Sequence, residues 1–498
     1  MTHATPNAPE PRGRPAPPAW LVLAVIAASQ AMVVLDVTIV NVALPDIGSS
    51  LGFANQSDLQ WVVNGYALTF GGFLLLGGKV ADRFGRRRLF SIGVGLFGLA
   101  SLIGGFASTP GLLIGARAVQ GVGGALMAPA ALSLLALAFA EGEARNKALG
   151  IFAAVSGTGG AFGLVLGGVL TDEASWRWVL FINAPIAVFV LALTPRVLQE
   201  SRDEAAGGFD ALGAVTVTAG LGALVFALVR ANEAGWASVQ TIGLLAGAVV
   251  LLVAFWVRQA QARNPLVPLS VIRRGSVAGA DLSMLFVSAA SVGTVFVISL
   301  VLQTIHGYSP LRTGFAFLPL SFTIAFSAQI ASGLLARVGA RTLTVLGLLL
   351  TAVGIALFAR ITPDSSYLGV VLPAFLISGV GTGIAFVSVM SAGVAGAAPE
   401  DAGIASGLVN AVQPIGASLG IAALTAVANA RFDAITSPTT SRAGLLSAQT
   451  SAWAWGFGLI AALLVVGALI AAVAIRDPSA PAVPVADDTA GEAVKATA

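Results

Sequence analysis

Between two apolar runs, each long enough to cross a bilayer, lies the segment Gly78-Lys79-Val80-Ala81-Asp82-Arg83-Phe84-Gly85-Arg86-Arg87-Arg88, with five cations and one acid. A charge knot this short between apolar runs reads as a cytoplasmic turn joining two membrane helices, because Lys and Arg are retained on the cytoplasmic side. A weaker copy recurs at Ala336-Arg337-Val338-Gly339-Ala340-Arg341, where Arg337 and Gly339 stand in register with Arg83 and Gly85. The chain therefore reads as a duplicated membrane unit.

Composition excludes several classes of function. With 57% hydrophobic and 10% charged residues and a mean hydropathy of +0.91, there is too little charge to cover a water-soluble surface. The cations cluster in certain loops and do not cover a face, so nucleic acid is excluded as a partner. Zero cysteines exclude disulfides, thiolate metal sites and cysteine nucleophiles. No metal-ligand cluster or catalytic triad appears, and no cofactor is expected. Gly78-Lys79-Val80 approaches a phosphate-binding loop, but residue 73 is Phe and residue 80 is neither Ser nor Thr, so ATP is not the fuel. The proline-rich residues 1–19 and the Ala, Pro and Asp-rich residues 477–498 are expected to be disordered cytoplasmic ends. The first apolar run starts at Trp20, is longer than a signal-peptide core, and is expected to remain as a helix.

A bilayer core of about 30 Å needs about 20 helical residues at 1.5 Å each. A window of that length finds fourteen spans, starting near Trp20, Leu59, Leu89, Leu112, Lys147, Val179, Leu212, Ile242, Val277, Thr313, Leu343, Leu368, Ile404 and Trp453. With the amino terminus inside, 19 of the 26 Lys and Arg are cytoplasmic, six are external (Arg177, Arg230, Arg312, Arg360, Arg431, Arg442), and Arg117 lies within a span. That asymmetry supports both the count and an orientation with both termini cytoplasmic. The repeat aligns spans 1 to 6 with spans 9 to 14. The expected organisation is a six-helix bundle over 20–195, a linker with inserted helices 7 and 8 over 196–275, and a second six-helix bundle over 276–476. Two such halves would enclose a cavity opening alternately to either side.

Four segments carry a family resemblance: Leu35-Asp36-Val37-Thr38-Ile39-Val40-Asn41-Val42-Ala43-Leu44-Pro45 in span 1, the Gly78 to Arg88 loop, Arg117-Ala118-Val119-Gln120-Gly121-Val122-Gly123-Gly124 in span 4, and Trp176-Arg177-Trp178-Val179-Leu180-Phe181-Ile182-Asn183-Ala184-Pro185 entering span 6. In this order the chain resembles the major facilitator superfamily, and within it the fourteen-helix drug:proton antiporter branch (EmrB/QacA type). The resemblance implies an all-α polytopic membrane protein with the major facilitator fold: two six-helix bundles plus two additional central helices. It also implies that Gly78, Asp82, Arg83, Gly85 and Arg86 form a conformational gate, Asp82 reaching a helix end in the opposite half. Ala336 replaces the acid in the second copy, so the gate would be asymmetric.

Asp36 is the sharpest single candidate, since an unpaired carboxylate in a span is costly and marks a functional site. It lies nine residues before Pro45 and Arg117 lies seven after Pro110, which puts them about 13 Å and about 10 Å below the same membrane face. The matched depths predict that both face one cavity, with Asp36 gaining and losing a proton in each cycle. A fixed structural ion pair is the competing reading. Asp281, about five residues into span 9, is a secondary proton or cation site, or a solvated group near the interface. Asn41, Asn64, Tyr66 and Gln120 are candidate polar contacts to a substrate, with bonds to neighbouring helices as the alternative. Gly159, Gly163 and Gly167 recur at four-residue spacing beside Gly160 and Gly168, leaving one face of span 5 as bare backbone for close helix approach. They resemble the antiporter motif of the superfamily, although Leu164 stands where many members have proline.

The expected function is export of a small amphipathic or lipophilic compound by proton antiport across the cytoplasmic membrane, by a monomer whose partners are substrate, protons and lipid. Proton-coupled uptake uses the same scaffold. A non-transporting sensor or scaffold has no use for a buried Asp36 and Arg117.

Overall fold

The computed structural model describes residues 18–54, 56–139, 143–202, 210–272, 275–395, 402–437 and 441–476. The expected disordered ends therefore lie outside the described residues, apart from Pro18 and Ala19, the latter being the first residue of α1. Among the described residues there are helices and no strands. Thirteen helices are long and apolar enough to span a membrane: α1 Ala19–Leu51, α2 Trp61–Phe84, α3 Arg86–Gly105, α4 Pro110–Ala138, α6 Trp178–Val197, α7 Ala211–Leu228, α8 Val239–Gln261, α9 Ser276–Ile305, α10 Pro310–Val338, α11 Ala340–Phe358, α12 Tyr367–Ala395, α13 Gly407–Ile435 and α14 Ala443–Ala474. The helix Glu143–Glu173, α5, has membrane length too, which brings the total to the fourteen spans read from the sequence.

The repeated basic turns share one backbone device. Gly85 has φ +112° and Gly339 φ +85°, a region that L side chains rarely adopt. Glycine at that point reverses the chain between α2 and α3, and again between α10 and α11. Cationic residues surround each turn, and the positive φ explains why glycine is the residue on which the two copies align.

The chain divides into two compact units. The first runs to Leu266 and takes in Val295–Ser321; the second comprises Val267–Thr294 and the chain from Phe322 onward. In the first unit helices approach closely where one partner lacks a side chain. A Cβ at Gly159 would lie 2.9 Å from Val34 Cγ1, one at Gly167 would lie 2.7 Å from the Ile39 carbonyl oxygen, and one at Gly163 would collide with Thr38 Oγ1. The glycine face of α5 is thus filled by α1. Gly168 lies under the start of α10, 2.7 Å from Leu311 Cα by the same measure. Just before the basic loop it is Gly77, against the Ala125 carbonyl, that is tight; Gly78 has ordinary clearance, 3.6 Å from Pro129.

The hairpin α7–α8 is central in the sequence but packs on one side of this unit, against α2. Gly72 receives Thr218, and the rings of Trp61 and Phe226 lie 6.0 Å apart. The base of the hairpin is tied by Asp210, whose Oδ1 accepts from Gly213 N at 3.0 Å and from Arg258 Nε at 3.1 Å. Its Oδ2 accepts from Gln259 Nε2 at 2.9 Å. Burial alone would raise the pKa of Asp210; the Gly213 N–H, Arg258 and Gln259 outweigh it and hold the carboxyl below the usual carboxylate range. Lys79 Nζ donates to the Pro265 carbonyl in the connector that follows.

The second unit is held by further close approaches. A Cβ at Gly416 would lie 2.5 Å from the Leu285 carbonyl oxygen, and Gly420 packs under Ala289. Phe358 centres an aromatic cluster, with Phe375 and Phe457 each at 5.4 Å between ring centroids.

Candidate functional site

The site begins with a proline. Pro45 lies inside α1 and has no N–H, so the carbonyl of Asn41, four residues earlier, loses its helical donor. Ser299 Oγ on α9 donates to that carbonyl at 2.9 Å, and Gln303 Nε2 donates to the next one, Val42, at 2.9 Å. The α9 backbone widens into a π-helical turn over Val301–Ile305, the kind of local distortion that re-aims side chains. Asn41 turns its amide onto its own helix, Nδ2 donating to the Val37 carbonyl at 2.7 Å, and its Oδ1 has no partner.

Below the proline, Asp36 and Arg117 meet. Arg117 Nη1 donates to Asp36 Oδ2 at 2.6 Å, and the two residues are 1% and 0% exposed respectively. Asp36 Oδ1 accepts from Gln120 Nε2 at 2.6 Å and from Asn183 Nδ2 at 3.0 Å. Arg117 also donates through Nη1 to Gln120 Oε1 at 2.7 Å and through Nε to the Val62 carbonyl at 3.0 Å. Its guanidinium lies 4.7 Å from the centroid of the Tyr66 ring, a cation–π contact in a site without water exposure. A buried ion pair of this kind is favourable only when its remaining lone pairs and protons are bonded. Here three donors from two helices serve one carboxylate.

Asn183 and Ser101 complete the network and were not singled out from the sequence. Asn183 Nδ2 also donates to Ser101 Oγ at 3.0 Å, and Ser101 Oγ donates to the Leu180 carbonyl at 2.9 Å. Arg177 sets the position of the helix bearing Asn183: its Nη1 donates to the Gly105 and Ala107 carbonyls at 2.8 and 2.7 Å. The C-terminal end of α3 is an acceptor-rich, negative pole, so an arginine suits it. The available signal was an uncharged polar residue, Asn183, in the apolar run after Trp176-Arg177.

The other candidate residues lie as follows. Gln120 bonds Asp36 and Arg117. Tyr66 faces Arg117 with its ring, and its hydroxyl has no partner; neither amide atom of buried Asn64 has one. Asp281 is half-buried on α9 with Oδ1 unpartnered. In the basic loop, Asp82 Oδ1 pairs with Arg86 Nε at 2.8 Å, and Arg83 lies 5.8 Å from the centroid of the Phe84 ring. An acid that sequence reading missed, Glu200, holds this loop. Its two carboxylate oxygens accept from the backbone N–H groups of Arg87 and Arg88 at 3.0 and 3.1 Å, capping the positive end of α3. A Cβ at Gly85 would lie 2.8 Å from Glu200 Cδ, so the glycine is required by space as well as by φ.

Residues 26–421 match the family model described as Major Facilitator Superfamily. The puromycin resistance protein of Streptomyces alboniger is 42% identical over 454 residues, covering 90% of each chain. The cephamycin export protein of Amycolatopsis lactamdurans is 42% identical over 401 residues, 80% of this chain and 82% of its own. The lincomycin resistance protein of Streptomyces lincolnensis is 33% identical over 452 residues, covering 90% and 91%. Among solved structures, a bacterial homologue of the human lysosomal transporter Spinster superposes with a TM-score of 0.64 at 20% identity, over 93% of this chain and 99% of its own, a likeness of fold. The matched family model spans the helices that carry Asp36, Arg117 and Asn183, and with these relatives it identifies the chain as a membrane transporter, not an enzyme, that belongs to the major facilitator superfamily.

Proposed function

We propose that the chain exports small amphipathic or lipophilic compounds, antibiotics and dyes among them, across the cytoplasmic membrane in exchange for protons. The single observation that carries this reading is the carboxylate of Asp36, fully buried in the first membrane helix and 2.6 Å from the Arg117 guanidinium. An intramembrane acid with one cationic partner is suited to bind a proton in one state of the cycle and release it in the other. The printed names of the relatives, resistance and export proteins for puromycin, cephamycin and lincomycin, support export of such compounds. Each proton moved down the membrane potential supplies about 2.3 kcal/mol per 100 mV.

In this reading both termini are cytoplasmic, the chain works as a monomer, and the halves 20–195 and 276–476 rock about the substrate with the 196–275 hairpin alongside. Asp82, Arg83, Gly85 and Arg86, with Gly78, form the cytoplasmic gate. Asn41, Asn64, Tyr66 and Gln120 are the polar contacts to the substrate once the cavity opens, the first three holding unpartnered buried atoms, and Asp281 is a second proton or cation site. Everted vesicles loaded with a lipophilic fluorescent dye test it. A proton gradient, acid inside, is expected to drive dye into the vesicles against its concentration gradient. Movement in the opposite direction would establish uptake, and indifference to the gradient would leave the proposal without support.

A further inference from the structure

Two amides touch Asp36, and they are not equivalent. Gln120 is locked, because its Oε1 already accepts from Arg117 while its Nε2 donates to Asp36. Turning that amide over would set an NH2 group against a guanidinium. Asn183 carries no such lock. Both hydrogens of its Nδ2 are used, one on Asp36 Oδ1 and one on Ser101 Oγ, but its Oδ1 is buried with no partner at all. Asn183 and Ser101 are both 0% exposed, so no solvent satisfies that oxygen.

An ionised carboxylate can only accept hydrogen bonds, whereas a neutral carboxyl must also donate one. Around Asp36 every neighbour described above is a donor: Arg117 and Gln120 from α4, and Asn183 from α6. The other titratable group facing the pair is Tyr66 from α2, which meets Arg117 through its ring. Ser101 from α3 is neutral; α5 presents glycines to α1; Ser299 and Gln303 bond the carbonyls of Asn41 and Val42, beyond Asp36 on α1. A proton arriving on Asp36 therefore needs an acceptor, and the idle Asn183 Oδ1 is one rotation away.

We propose that Asn183 is a positioning residue that follows the proton: its amide donates to Asp36 Oδ1 while the carboxylate is ionised, and turns over to accept the Oδ1–H once Asp36 is neutral. At the carboxyl itself every hydrogen bond is kept. The incoming proton sits on Oδ1, so Oδ2 remains the acceptor for Arg117 and Oδ1 still accepts from Gln120. In the turned amide Asn183 Oδ1 faces both Asp36 Oδ1 and Ser101 Oγ. The Ser101 hydroxyl swings its hydrogen from the Leu180 carbonyl to Asn183 Oδ1, and Nδ2 takes the idle position. One amide thus serves the carboxyl in both protonation states, and the neutral arrangement holds one hydrogen bond fewer, with the Nδ2 hydrogens idle, which keeps the proton exchangeable. This inference rests on the reading of Asp36 as the proton site.

The test is infrared difference spectroscopy of the full chain in lipid nanodiscs, titrated between about pH 4 and about pH 9. The neutral-carboxyl band of Asp36 is assigned by its loss in Asp36→Asn. In Asn183→Leu that band is expected at higher wavenumber, because the hydroxyl has lost its acceptor. Its midpoint is expected to stay within about half a pH unit, because the substitution deletes one hydrogen bond from each state. Gln120→Leu deletes a donor that bonds the charged carboxylate more strongly than the neutral carboxyl, together with the acceptor for Arg117, so there the midpoint is expected to rise by about one pH unit. Asn183→Ser, whose hydroxyl both donates and accepts, is expected to return the band toward its original position, and it serves where Asn183→Leu does not fold. An unmoved band in Asn183→Leu, or a midpoint that rises by about one unit as in Gln120→Leu, overturns the inference and makes Asn183 a fixed donor. The spectra need no transported compound, so the two readings fail separately. A protein with these bands but no proton-driven export keeps the role of Asn183 and loses the antiport proposal; the absence of any titrating Asp36 band removes both.

Discussion

Removing one member of the buried pair should cost far more than the pair itself contributes. In Arg117→Gln the Asp36 carboxylate loses the donor at 2.6 Å, while the Val62 carbonyl and Gln120 Oε1 lose the donors at 3.0 and 2.7 Å. Three buried acceptors each lose a donor, and the one that is charged keeps only the neutral amides of Gln120 and Asn183. Breaking a buried pair on one side costs about 3–5 kcal/mol. Asp36→Asn also leaves a buried charge unpaired, but Arg117 keeps Val62, Gln120 and the Tyr66 ring, so its cost lies at the lower end of that range, about 3 kcal/mol. The double variant Asp36→Asn, Arg117→Gln holds no charge in the site, so its loss should fall short of the sum of the single variants by about 2 kcal/mol. Reversible unfolding in mixed detergent micelles measures the cycle. The loss in Arg117→Gln alone should shrink at acid pH, where protonation removes the stranded charge. Losses that add to within about 0.5 kcal/mol, at every pH, would refute the argument that the two side chains form one electrostatic unit.

Three further outcomes follow from the geometry. Gly163→Val should abolish folded protein by driving a side chain into Thr38, whereas Gly160→Ala, whose Cβ would lie 3.9 Å from Thr38 Cγ2, should leave yield and monodispersity on gel filtration unchanged. Glu200→Gln should cost about 1 kcal/mol in the same unfolding assay through the weakened cap on α3, since the 3.8 Å ion pair with Arg87 is too long and too exposed to add much. Asp210, held below the usual carboxylate range, stabilises the hairpin base fully above its unfolded pKa of about 3.9, and that contribution is lost as pH falls through its lower folded value. Hydrogen-exchange protection at the start of α7, taken relative to the intrinsic amide rate, should therefore remain high at about pH 5 and fall below about pH 4, while in Asp210→Asn it should be low at both.

The fold was legible because lipid leaves few choices. Span length, the basic turns and their glycine register lead to fourteen helices and a repeat, and the positive φ at Gly85 and Gly339 gives that register its physical cause. The pairing of Asp36 with Arg117 was legible from depth, since two intramembrane charges of opposite sign at matched distances from Pro45 and Pro110 have few alternatives. Of their uncharged partners only Gln120 was singled out. Asn183 reaches Asp36, and Ser101 reaches Asn183, only through the rotation of α6 and α3, and a polar residue in an apolar span reports depth without direction. Glu200 was hidden for a related reason: a surface acid in a connector looks solvated until the fold brings it onto the N-terminus of α3. The docking of α7–α8 rests on Gly72 beneath Thr218, a fit of small residues that carries no periodic signal.

The most direct test of the central claim separates driven transport from exchange in proteoliposomes holding the Asp36→Asn variant. The account predicts that a proton gradient no longer drives accumulation of a transported dye, while exchange of labelled for unlabelled dye in the absence of a gradient persists. Gradient-driven accumulation by Asp36→Asn at the rate of the unaltered protein would contradict it, and would assign the transported proton to another residue.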